Sequence, residues 1–172
     1  MLGDGPAAYA RPVIRPATPA DLADIRRLIV ELAIYEREPD AVVASVDDLA
    51  AALFPTDRTA AAFCDVAEVD GRVVGLALWF LNFSTWQGKH GIYLEDLFVE
   101  PAYRGLGLGK AMLVNLARRC VANGYARFEW FVLDWNAPSI DFYQALGAVP
   151  LQEWTVFRVS GDALEALARL DA

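Results

Sequence analysis

The residues whose types and spacing could do chemistry lie in one stretch, Leu94 to Lys110. It carries two adjacent carboxylates, Glu95 and Asp96, in an apolar run, then the turn Arg104-Gly105-Leu106-Gly107-Leu108-Gly109-Lys110. A strand that enters a glycine-rich turn and opens a helix is suited to an anion. Glycines let the backbone approach closely, and the free N–H groups and dipole of a helix start favour phosphate. Two familiar phosphate loops fail on spacing. The Walker pattern needs four residues between its glycine and Gly-Lys, then Ser or Thr, whereas Gly105 and Gly109-Lys110 are separated by three and Ala111 follows. The dinucleotide fingerprint needs two residues between its second and third glycines, and Gly107 and Gly109 are separated by one. Adjacent side chains on a strand point to opposite faces, so Glu95 and Asp96 do not both enter one pocket by simple alternation, although a β-bulge could alter this.

The elements around this stretch are legible from pattern. A strand over Val13 to Ala17 precedes Thr18-Pro19-Ala20-Asp21, which has an N-cap, a proline at the first helical position and an acid three residues on. Leu22, Ile25, Ile29 and Leu32 then predict a helix to about Tyr35. Ser45-Val46-Asp47-Asp48 caps a shorter helix with Leu49 and Leu53. Phe63 to Val69 and Arg72 to Phe83 read as strands joined by an Asp70-Gly71 hairpin turn, and Ile92 to Val99 as another. Gly107 to Asn123 predicts a helix, Phe128 to Leu133 a strand, and Asn136 to Leu146 a helix that Gly147 ends. Two last strands, Val149 to Leu151 and Trp154 to Val159, and a helix over Asp162 to Leu170 complete an α/β fold with a mixed sheet.

Bulk properties bound the rest. The 172 residues suit a single domain from residue 12 to 172, with 1–11 as a loose arm. A hydrophobic content of 56 % excludes intrinsic disorder. The longest apolar run, Val73 to Phe83, is about half of a membrane span, so no membrane partner is expected. A net charge of −8 argues against nucleic acid, since phosphates need Lys and Arg, and is weakly consistent with cationic ligands. Cys64 and Cys120 read as buried thiols, which makes the cytoplasm the default location. With the lone His90 they do not make a metal site, so no metal is expected.

Arg104-x-x-Gly107-x-Gly109 resembles the Arg/Gln-x-x-Gly-x-Gly/Ala pyrophosphate loop of the GNAT acetyltransferase superfamily. The resemblance runs from Val13 to about Val159 and is strongest to the polyamine (spermidine/spermine) and thialysine branch. It is carried by Ile14-Arg15-Pro16-Ala17-Thr18, Glu31-Leu32-Ala33-x-Tyr35-Glu36, Tyr93-Leu94-Glu95-Asp96, Asp134-Trp135-Asn136-x-Pro138-Ser139 and Phe142-Tyr143-x-x-Leu146-Gly147-Ala148. Ser84-Thr85-Trp86-x-Gly88 adds to the thialysine side.

This resemblance implies a GNAT fold, acetyl-CoA as co-substrate, a small cationic amine as acceptor and a homodimer using the last strands. Leu97, Phe98 and Val99 would pair through their backbone with the pantetheine arm and donate an N–H to the thioester oxygen, worth about 3 kcal/mol. Arg104, Gly105, Leu106, Gly107, Leu108, Gly109 and Lys110 would cradle the pyrophosphate, and Asn136, Ala137, Pro138 and Ser139 would touch the cofactor farther along. Tyr143 would be the general acid, since a phenol with pKa about 10 can protonate a departing thiolate; its bland alternative is packing beside Phe142. Glu95 would bind the amine and take its proton, against the alternative of a solvated strand charge. Tyr35 and Glu36 would line the amine channel, or else form a frayed helix end. Glu153 stands near an acidic substrate contact of the family, and Glu129, Trp130 and Phe131 fall where relatives touch substrate through other residues. Trp130 could shorten the channel or bind a cation on its face. Two rival readings stay open: acetylation of a protein lysine or N-terminus, and a non-catalytic acyl-CoA sensor.

Overall fold

Thr18 closes a capping box with Asp21, and a single 3-10 turn, Pro19–Asp21, then feeds the first helix, α1 (Leu22–Tyr35). The strand before it is β1 (Val13–Pro16). This is a computed structural model, and it describes residues 12–170. The predicted arm at 1–11 lies outside the described residues. A second capping box at Ser45 and Asp48 starts α2 (Val46–Leu53). Strands β2 (Phe63–Val69) and β3 (Arg72–Ser84) meet at Asp70 and Gly71, whose φ angles of 51° and 77° are those of the tight turn that an Asp-Gly pair predicts. After β4 (Lys89–Val99) come α3 (Leu108–Ala122) and β5 (Arg127–Trp130).

These strands form one sheet in the order β1-β2-β3-β4-β5, antiparallel until β5, which runs parallel to β4. Helices cover both faces. Leu22, Ile25, Leu28 and Leu32 of α1, with Leu49 and Leu53 of α2, pack with Cys64, Val66, Leu76 and Phe98. On the other face a Cβ at Gly75 would meet Met112 Cε of α3 at 3.3 Å and the Phe98 carbonyl at 3.0 Å, so α3 sits over a glycine. The fold is therefore α/β, a mixed sheet flanked by helices.

Buried carboxylates tie the layers together. Asp65 on β2 accepts from Trp79 Nε1 at 2.9 Å and from Arg119 of α3 at 3.1 Å, while the Arg119 guanidinium lies 4.8 Å from the Trp79 ring centroid. Glu100, just past β4, pairs with Arg27 of α1 and Arg72 of β3. Asp21 pairs with Arg15 at 2.8 Å, which lowers its pKa to about 2.

The chain divides into two compact units, through Phe131 and from Val132 onward. The second contains α4 (Ala137–Ala145) and α5 (Gly161–Ala168). Here the sequence expectation fails: Val149 to Leu151 and Trp154 to Val159 are irregular, not strands. Their alternation has strand character, but a strand exists only by pairing, and no neighbouring strand pairs with them among the described residues. The strand predicted over Phe128 to Leu133 also shortens to β5, leaving Val132 and Leu133 outside the sheet.

Candidate active site

The site begins with one surplus residue. In the β3–β4 ladder Trp79 faces Leu94 and Leu78 faces Asp96, so Glu95 has no opposite number. This is the β-bulge that simple alternation lacks. Leu94 shares the face of Trp79, beneath α3, whereas Asp96 shares the row of Leu78 and Cys64 on the α1 face. The reversal falls on Glu95, so the two carboxylates no longer oppose each other across the sheet.

The same point ends the pairing on the other side. β5 accompanies β4 only over Gly91–Leu94, opposite Arg127–Trp130. From Glu95 to Val99 that edge of β4 has no strand partner among the described residues, which leaves backbone donors and acceptors open to a ligand. Leu97 and Val99 are partly buried and Phe98 is buried, so these side chains build the core while the edge stays available.

Beyond the strand, Gly105 and Gly107 have φ of 81° and 78°, the left-handed region that glycine supplies. Gly107 is the N-cap of α3, and the first intrahelical bond runs from Ala111 N–H to Gly107 O at 2.9 Å. The N–H groups of Leu108, Gly109 and Lys110 precede that bond and point out of the helix start. A Cβ built at Gly105 or Gly107 meets no atom within 4 Å, so the space in front of the turn is open. Leu106 and Lys110 are exposed. Arg104 folds back, donating from Nε to Val99 O at 3.0 Å, with its guanidinium 4.9 Å from the Tyr35 ring centroid and 5.6 Å from that of Phe98.

Tyr35 ends α1 and Glu36 caps it. Burial raises the pKa of Glu36. Asp96 is pushed up to about 6, by burial first and then by the charges of Glu95 and Glu36. No hydrogen bond or ion pair reaches Asp96 among the described residues. Three carboxylates, Glu36, Glu95 and Asp96, thus lie close enough to bear on one another beside the open edge of β4. Asp96 is the functional candidate that sequence reasoning set aside; the Glu-Asp doublet was visible, but not the bulge that turns it.

Tyr35, Phe98 and Arg104 are brought together, and Glu36 and Glu95 both bear on Asp96. Glu129 is not among them: it accepts from Asn82 Nδ2 at 2.7 Å and pairs with Arg127 at 2.9 Å. Trp130 lies edge-on to Phe128, and Phe131 edge-on to Tyr93. Lys110 lines a shallow groove on α3 with Ile14, Asn115 and Arg118. In the second unit, the Asn136 side chain accepts from Ser139 N, with Ala137 and Pro138 opening α4. Tyr143 lies on that helix with its ring 5.4 Å from that of Phe142, and Glu153 is exposed in a turn.

The model of the Acetyltransferase (GNAT) family matches residues 24–148, across both units. A thialysine N-epsilon-acetyltransferase from Bos taurus is 40 % identical over 91 % of this chain and 96 % of its own. An L-ornithine N5-acetyltransferase from Arabidopsis thaliana is 32 % identical over 92 % of this chain and 88 % of its own. Among solved structures, an integron cassette protein from V. cholerae superposes with a TM-score of 0.77 at 25 % identity, covering 92 % of this chain and 98 % of its own.

The raised pKa of Asp96 has a sign. Its folded state holds the proton more tightly than the unfolded chain, so stability falls as pH rises from the unfolded value near 4 through about 6 and stays lower above it. Asp96→Asn is expected to raise stability by about 3 kcal/mol at pH 7 and by only about 0.5 kcal/mol at pH 4. Urea melts at both pH values check this; an equal gain at pH 4 would assign the effect to packing.

Proposed function

The chain belongs to the GNAT acetyltransferase family and is an acetyl-CoA-dependent N-acetyltransferase, and we propose that its acceptor is a primary amine on a small cationic molecule. The observation that carries this reading is the cluster of Glu36, Glu95 and Asp96, carboxylates with no ion pair among the described residues, beside an unpaired strand edge. An alkylammonium would supply the missing charge. The names of the thialysine and ornithine relatives agree with a diamine or basic amino acid. A homodimer in the cytoplasm is part of the reading on the strength of the resemblance.

The residues present fit CoA. Open space before Gly105 and Gly107, and the free N–H groups at the start of α3, suit a pyrophosphate. The unpaired edge over Leu97 to Val99 suits an amide-bearing arm. When bound, the co-substrate supplies an acetyl thioester, and a backbone N–H of this edge would stabilise negative charge developing on its oxygen.

The chain's own groups then manage protons. An alkylammonium with pKa about 10.4 must become neutral before its nitrogen can form the new C–N bond. Glu95 and Asp96 anchor it and accept that proton, Asp96 having a pKa near the working range of a general base. As the C–S bond breaks, Tyr143 donates its phenolic proton to the leaving thiolate. Cys64 plays no nucleophilic part, since burial pushes its thiol up to about 12.

A panel of amines assayed with acetyl-CoA for thiol release tests the acceptor. Diamines, ornithine and thialysine should react, and neutral monoamines and protein N-termini should lag; preference for a peptide would sink the reading. A Cβ at Gly107 meets no protein atom, but its φ of 78° strains any L side chain, so the fold of Gly107→Val is checked by circular dichroism before its affinity is read. A folded variant is expected to lose at least tenfold in CoA affinity by calorimetry, and unchanged affinity would remove the turn from the binding site. Tyr143→Phe should lower turnover about 10²- to 10⁴-fold with CoA affinity little changed, as for a positioned acid. Full turnover when chemistry limits the rate would make the phenol structural.

A further inference from the structure

Arg104 opens the glycine turn, yet its side chain is committed elsewhere. Its Nε–H bonds the carbonyl that ends β4, and its guanidinium lies over the rings of Tyr35 and Phe98. Tyr35 is the last residue of α1; Glu36 follows at once, and at Arg37 the chain turns away with φ of 69°. Glu36 N–H bonds Leu32 O at 2.8 Å and Glu38 N–H bonds Ala33 O at 2.9 Å, so the cap carrying Glu36 is one piece with the end of α1 and goes where the Tyr35 ring fastens that end. The ring rests on the core beneath and carries the guanidinium on its face.

We propose that Arg104 is a positioning residue for the acceptor amine: it clamps the end of α1 onto the end of β4 and so holds Glu36 toward the pocket of Glu95 and Asp96. This rests on the functional reading above. It assigns the side chain of the turn's first residue to the acceptor side, leaving the backbone N–H groups of the turn to the phosphates. The clamp needs a planar cation that can stack and hydrogen-bond together. A lysine ammonium is a point charge with neither the plane nor the Nε–H geometry, and a glutamine keeps a donor without the cation.

The test uses the full chain with Arg104→Gln, Arg104→Lys, Tyr35→Leu and the double variant Arg104→Gln/Tyr35→Leu. Hydrogen exchange of residues 33–38 without substrates reads the clamp directly. A cation–π contact of this kind corresponds to exchange faster by about 3- to 30-fold in Arg104→Gln, and Arg104→Lys should not restore it. Amine KM should rise by a similar factor, and by more than either kcat at saturating amine or CoA affinity changes. Tyr35→Leu should reproduce the effect, and the double variant should be no worse than the more damaging single one. Unchanged exchange in Arg104→Gln overturns the proposal whatever the enzyme acetylates. So does a tenfold loss of CoA affinity with amine KM unchanged, which would return the side chain to the phosphates. A wild-type chain that acetylates no amine defeats the functional reading instead, and the exchange comparison still decides the clamp.

Discussion

Between Leu94 and Asp96, β4 carries a residue that β3 does not match, and the β5 ladder stops at the same place. Both halves of the proposed chemistry follow from that slip. On the α1 face it brings Asp96 into line with Leu78 and Cys64, toward Glu36, although Leu94 two residues earlier faces α3. Along the edge, it coincides with a stretch, Glu95 to Val99, that has no strand partner among the described residues. A bulge increases local twist, which carries the following strand away from a straight neighbour. Without the extra residue, Glu95 and Asp96 would lie on opposite faces.

A strand opened on one edge must be held firmly by its remaining neighbours. β3 supplies ten paired positions along β4, from Gly75–Val99 to Ser84–Lys89. The end of β4 is fastened by Glu100, which is buried between Arg27 from α1 and Arg72 from β3. Behind the sheet, Asp65 gathers Trp79 and Arg119, so α3 cannot slide across β2 and β3 without leaving a buried carboxylate bare. Breaking such a pair costs several kcal/mol, while forming it adds much less, so these networks act chiefly as registers for the packing. The glycine turn inherits its position from both anchors, lying between Glu100 and the start of α3.

What the sequence reveals depends on the range of the interaction. Thr18 with Asp21, Ser45 with Asp48, Asp70-Gly71 and the glycines at 105 and 107 act within a few residues, and each adopts the conformation its type predicts. The bulge at Glu95 is decided by which residue of β3 lies opposite, so the doublet read alone suggested opposite faces and Asp96 was passed over. Arg104 and Tyr35 are far apart in the chain, and their stack arises only when α1 lies beside β4. Glu129 was legible as a carboxylate but not as the partner of Arg127 and Asn82. Trp154 to Val159 has the alternation of a strand and lacks the one thing alternation cannot supply, a neighbour.

Carboxylates away from solvent fall into two kinds here, and the difference separates scaffold from site. Asp21, Asp65 and Glu100 are buried, and each is met by an arginine, so its charge is matched inside the protein. For Asp21 the outcome is a pKa lowered to about 2: the fold gains from keeping it ionised. Asp96 is partly buried with two other carboxylates nearby and no cation, and its pKa moves the opposite way, to about 6. A group held at a cost in the free protein becomes favourable only when something positive arrives, and the cost of its isolation turns into preference for a cation. In the proposed reading, recognition of an ammonium draws on this electrostatic arrangement, which the bulge sets up by turning Asp96 toward Glu36.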